Sequence, residues 1–146
     1  MTIRSYADGK AISFAESEIA PIHLAEINGR HYYAFAAKES VPLGGKVADD
    51  ALELIYQHSL LIRQIKEEAA RRILLLAPQW KQQNALADVY LLSKLEALDD
   101  GQKERLRKAE ALLQGIQAIR QRSDEIEASF LKGIFIDYVT DQAWDV

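Results

Sequence analysis

Cysteine is absent from the 146 residues, which excludes a disulfide scaffold, a thiol nucleophile and any zinc site built on thiolates. Histidine is nearly absent too, at three residues, and no second histidine follows another at the four-residue spacing of an H-E-x-x-H metal helix. No apolar run approaches the ~18–20 residues that a bilayer crossing needs. The opening stretch MTIRSYADGK has no apolar core of a secretion signal, so a cytoplasmic location is the expectation. Neither charge sign dominates. Eighteen Lys and Arg against 22 Asp and Glu give a net charge of −4, without the basic footprint that phosphate-backbone binding requires. Neither nucleic acid nor a membrane is therefore an expected partner. What is plentiful is apolar side chain, 49% of the residues, enough to exclude intrinsic disorder and to fill the core of one domain.

That apolar content changes period near residue 46. Four of the seven glycines (Gly9, Gly29, Gly44 and Gly45) lie before it with Pro21 and Pro42, so residues 1–46 read as turns and strands. Residues 47–146 read as helices, and the predicted class is α+β: a small antiparallel β meander of two hairpins, three long α-helices packed as a hairpin or bundle, and a short C-terminal strand. Asp8-Gly9 and Asn28-Gly29 each carry the chemistry of a two-residue type I′ turn. The first predicts Ile3 opposite Phe14 and Ser5 opposite Ile12. The second predicts Ile27 opposite Arg30, Glu26 opposite His31, Leu24 opposite Tyr33 and Ile22 opposite Phe35, with Ile22, Leu24, Tyr33 and Phe35 on the buried face. In that register His23 and His31 fall on opposite faces and cannot share a metal. His31 is expected to pair with Glu26.

Val41–Lys46, VPLGGK, reads as a linker; it lacks the spacing and the hydroxyl of a phosphate loop. A helix is expected from Asp49 or Asp50, with Leu54, Ile55, His58, Leu61, Ile62, Ile65, Ala69, Ile73 and Leu76 as one long apolar stripe. His58 on that stripe reads as a structural histidine. Pro78 ends this helix and starts the next, which spans 79–98 and, being apolar all round, is expected to be the most buried. Asp99-Asp100-Gly101 reads as a stop. The third helix, 102 to about 131, repeats Ala109, Leu112, Ile116, Ile119, Ser123, Ile126 and Phe130 at heptad steps. Gly133 ends it, residues 134–139 read as a strand, and Asp137, Asp141 and Asp145 make a solvated acidic tail, with a calcium ion shared across an oligomer as the sharper alternative. Helices of about 28 and 30 residues, roughly 40–45 Å long, exceed what a compact chain of this size covers, so a homo-oligomer, dimer or trimer, is expected. No catalytic, metal-binding or cofactor-binding residues are assigned. An enzyme assembled between subunits from Tyr32, His23 and nearby acids is the least favoured reading.

Two segments carry a resemblance. Residues 77–87, APQWKQQNALA, and residues 116–128, IQAIRQRSDEIEA, resemble helical segments of bacteriophage and prophage tail proteins, including tail-fibre and tail-fibre-associated proteins. The similarity spans at most residues 77–128 and brings no large fibre or spike domain with it. It implies a non-enzymatic virion or assembly component, located in the bacterial cytoplasm or the virion, whose partner is another virion or assembly protein. The expected interface is Trp80 and Asn84, one turn apart on the second helix, with Leu112, Ile116, Ile119, Ser123, Ile126 and Phe130 on the heptad seam. The alternative is a cytosolic adaptor or regulatory module that dimerises through the same helices.

Overall fold

The computed structural model describes residues 2–6, 21–36, 45–46 and 51–145. The class is α+β: a small antiparallel sheet followed by helices. Strands β1 (Thr2–Tyr6), β2 (Ile22–Ile27), β3 (Arg30–Phe35) and β4 (Gly45–Lys46) form a sheet in the order β2-β3-β1-β4. Helices α1 (Ala51–His58), α2 (Leu60–Leu76), α3 (Gln79–Leu92) and α4 (Asp100–Leu131) follow, and a 3-10 turn spans Asp141–Trp144.

The second hairpin forms on the expected turn, with Asn28 and Gly29 both at positive φ (51° and 76°), as a type I′ turn demands. Ile27 faces Arg30 and Glu26 faces His31 as expected, but beyond them Ala25 faces Tyr32 and His23 faces Tyr33. Leu24 is thus an extra residue in β2, a β-bulge, and it shifts the register of everything upstream by one. Leu24 does not oppose Tyr33, and Ile22 meets Ala34 in place of Phe35. The buried face changes with it. Ile3, Leu24, Ala25 and Ala34 pack with Ile55 of α1 and Leu131 of α4, and Ile22, Ile27, Leu52 and Tyr32, not Tyr33, join them.

The turn and second strand of the expected first hairpin, Ile12 included, fall outside the described residues; its first strand is β1, where Ser5 is flanked by Tyr32 on one side and Gly45 on the other. Residues 7–20, including the Asp8-Gly9 turn and Phe14, lie outside the described residues, as do 41–44 and Asp49 and Asp50. The end of the expected linker, Gly45–Lys46, is the short strand β4.

Among the helices, the long first one is divided at Ser59. The backbone ladder continues across it, Ser59 N–H donating to the Ile55 carbonyl at 2.8 Å, while the buried Ser59 Oγ accepts from the Ile62 N–H at 3.2 Å and caps α2. Pro78 acts as expected, standing just ahead of α3. Helix α3 is shorter than expected, ending at Leu92. Asp99 starts α4 rather than stopping the helix before it: its Oδ1 accepts from the Gln102 N–H (2.7 Å) while Gln102 Oε1 accepts from the Asp99 N–H (3.0 Å). This reciprocal pair is a capping box, and Gly101 lies inside the helix.

At its other end α4 closes in a Schellman motif. The Ile134 N–H reaches the Ser129 carbonyl (2.9 Å), the Gly133 N–H reaches that of Phe130 (3.0 Å), and Gly133 takes φ 75°. The expected strand over 134–139 is absent; residues 134–137 have no regular structure and 138–139 form a turn. Aromatic packing overrides their strand propensity. Phe135 and Tyr138 meet Phe130 edge-on at 5.6 and 6.1 Å. Tyr138 donates to Gln64 Oε1 (3.0 Å), and the Trp144 indole N–H donates to the Tyr138 carbonyl (2.7 Å). Asp137, Asp141 and Asp145 are all exposed and share no helical face.

Two compact units result, cut elsewhere than at residue 46. One comprises 1–66 and 124–146, the other 67–123, with the boundaries inside α2 and α4. In the first unit a second apolar cluster joins Ile65 of α2 to Ile126 and Phe130 of α4, beneath Ile136, Tyr138 and Trp144. No helix among the described residues is long and apolar enough to cross a membrane.

Candidate functional site

Two features stand out, one in each unit. In the first, the bulge at Leu24 decides where the histidines go. Strand residues alternate between faces, and with His23 opposite Tyr33, His23 and His31 lie on the same face of the sheet, not on opposite faces as the regular register predicts. Their rings meet: His23 Nε2 and His31 Nδ1 are 3.1 Å apart, close enough for one ring N–H to donate to the other ring's lone pair. The His23 ring stands edge-on to Tyr33 at 5.0 Å, and Tyr6 extends the aromatic group through Tyr33 and Phe35 (6.0 and 6.4 Å). Glu26, the expected partner, is the cross-strand neighbour of His31, and His31 also meets the His23 imidazole. Burial and the neighbouring His31 push the His23 pKa below its ordinary value, and the Glu26 carboxylate opposes them.

Beside this pair, β2 is an outer strand of the sheet. A cleft of about 440 Å³ lies between it and the junction of α1 and α2, lined by His23, Leu24, Ala25 and Glu26 on one side and by His58, Leu60, Leu61 and Gln64 on the other. His58, read as a structural histidine on the apolar stripe, is exposed. Among the described residues no three His, Cys, Asp or Glu side chains are grouped to hold a metal ion.

One charged site escaped the sequence reading. Glu127 follows Ile126 on α4 and is buried, with Lys66 of α2 at 3.2 Å from its Oε1. Its signal was only that it extends the inward face of the helix by one position. The Tyr56 phenol nearby has its pKa raised, first by burial and then by Glu127 and Asp124, with Lys66 opposing.

In the second unit, α3 turns Gln82, Ala85, Val89 and Leu92 inward at three- and four-residue steps, with Asp88 half-buried beside them, and leaves the rest outside. Trp80 is 59% exposed, Leu86 57%, Tyr90 61% and Leu91 58%, and Leu74, Leu75 and Leu76 at the end of α2 are exposed as well. The helix expected to be the most buried therefore shows an apolar surface. An all-round apolar sequence gives no sign of which side the chain itself will cover. Trp80 and Asn84 both lie on the exposed stripe, where the expected interface needs them. The rest of the expected interface does not remain available. Ile116, Ser123, Ile126 and Phe130 are buried within the chain and Leu112 and Ile119 are half-buried, because the heptad seam of α4 is spent on intrachain packing.

No family model, no curated protein and no solved structure matches this sequence.

Proposed function

We propose that the protein is a structural or assembly component that works by associating through the exposed apolar side of α3 and the end of α2, with a second copy or an assembly partner, and not by catalysis. The observation that carries this reading is the exposure of Trp80, Leu86, Tyr90 and Leu91 on a single 14-residue helix, since large apolar side chains gathered on one surface mark an interface. Aromatic anchors such as Trp80 and Tyr90 are the side chains that contribute most when such a surface is covered. The setting, a phage or prophage tail or its assembly, is carried by the resemblance of residues 77–87 and 116–128 alone.

The experiment is sedimentation of the 16.5 kDa chain at about 50 μM, where an interface of useful strength is populated. The expected result is an oligomer that Trp80→Glu with Leu91→Glu converts to a folded monomer; a compact wild-type monomer overturns self-association. A second reading, a protein-binding adaptor, draws support from the cleft between β2 and the α1–α2 junction. It predicts a dimer, held through the helices, whose binding of a protein partner is lost on changes at Leu60 and Leu61.

A further inference from the structure

We propose that His23 and His31 form a two-imidazole site for a zinc-type transition-metal dication on the paired strands β2 and β3 of the sheet. The distance is the first reason. Two imidazole nitrogens bonded to one zinc ion at about 2.0–2.1 Å, near the tetrahedral angle, stand about 3.3 Å apart. His23 Nε2 and His31 Nδ1 stand 3.1 Å apart, so the rings need to part by only a few tenths of an ångström and to swing until both lone pairs aim at one point.

The second reason is pre-organisation. The bulge at Leu24 fixes the register that puts both residues on one face, and the edge contact with Tyr33 at 5.0 Å holds the His23 ring. The backbone of a paired hairpin supplies the rest, so little freedom is lost on binding. Glu26, cross-strand from His31, adds a negative charge beside the pair.

Chemically, the pair already shares one cation-like position. One ring places an N–H where the ion would sit; on binding, that ring moves its proton to its outer nitrogen, so two neutral imidazoles take up the ion without net loss of a proton. Both inner lone pairs then face the metal. With two protein ligands the ion keeps water in its remaining positions, which makes the site open and exchangeable, not a closed structural centre.

The test uses the untagged full chain and Zn2+ alone. Calorimetric titration is expected to show one ion bound per chain and a loss of that heat to background in both His23→Gln and His31→Gln. Because a variant can fail for reasons of folding, the wild-type chain is also treated with diethyl pyrocarbonate, with and without Zn2+, and the modified histidines are mapped by mass spectrometry. Zn2+ is expected to protect His23 and His31 and to leave His58 as reactive as before. A wild-type chain that binds no Zn2+, a variant of either histidine that binds as the wild type does, or protection that spares the pair or falls on His58 overturns the proposal.

Discussion

Gly133 carries two constraints in one residue. Its φ of 75° is costly for any residue with a Cβ, by about 1–2 kcal/mol, and a Cβ built there would stand 2.4 Å from both the Ala36 nitrogen and the Phe35 carbonyl carbon. Backbone cannot yield as a flexible side chain does. Gly133→Ala is therefore expected to lower stability by about 2–4 kcal/mol, the backbone and overpacking costs together, read as a fall in the urea midpoint. Glu68 supplies a pH signature at the same scale. Its carboxylate bonds Arg71 (2.6 Å) and Arg72 (2.9 Å), and the hydrogen bond from Arg71, followed by the charges of both arginines, holds its pKa below the ordinary value against the opposing effect of burial. With the folded value below the unfolded one, the stabilisation is complete above the unfolded carboxylate range of about 4.3. It is lost as pH falls through the lower, folded value. Urea midpoints measured from pH 6 down to pH 3 (a range set by the carboxylate values) should therefore fall less steeply in Glu68→Gln than in the wild type.

At the scale of elements, the caps set the boundaries. Ser59→Ala removes the acceptor of the Ile62 N–H in a buried position, and Asp99→Ala removes half of the α4 capping box. Each is expected to cost about 1 kcal/mol, and the two losses should add in thermal melts, since the sites share no partner. These elements also mark where sequence reading succeeds. Asn28-Gly29, Pro78 and Gly133 act through backbone geometry that belongs to the residue type itself, and each punctuates the chain where expected. Asp99 was visible but ambiguous: D-D-G reads as a stop, and only Gln102, three residues on, identifies it as a start. The division at Ser59 was hidden because an apolar stripe runs through it unbroken. The residues at 134–139 have strand propensity, but their aromatics follow the Phe130 ring instead. The bulge at Leu24 left no trace in a pattern of alternation, and with it the meeting of His23 and His31 was illegible. Half of the candidate site thus depended on one residue of register.

At the scale of the molecule, the apolar side chains divide between two fates. The seam of α4 is consumed within the chain, while α3 and the end of α2 present theirs outward. If that surface is covered by a second copy, association stabilises the folded chain by mass action. The melting temperature is then expected to rise with protein concentration in the wild type and to be independent of concentration in the Trp80→Glu, Leu91→Glu double variant, as followed by circular dichroism over a hundredfold dilution.

Leu24 also has a bearing on what the hairpin can lose. With residue 24 removed, Ile22, His23, Ala25, Glu26 and Ile27 alternate strictly between the two sides, and each keeps the partner it has now. The strand is therefore a regular hairpin plus one residue, with nothing upstream reversed by it. An in-frame deletion of Leu24 should leave His23 beside His31 and forfeit only what a buried leucine contributes, about 2–5 kcal/mol. With Leu24 in the chain, the bulge is what keeps the two histidines on one face; without it, the regular register does the same.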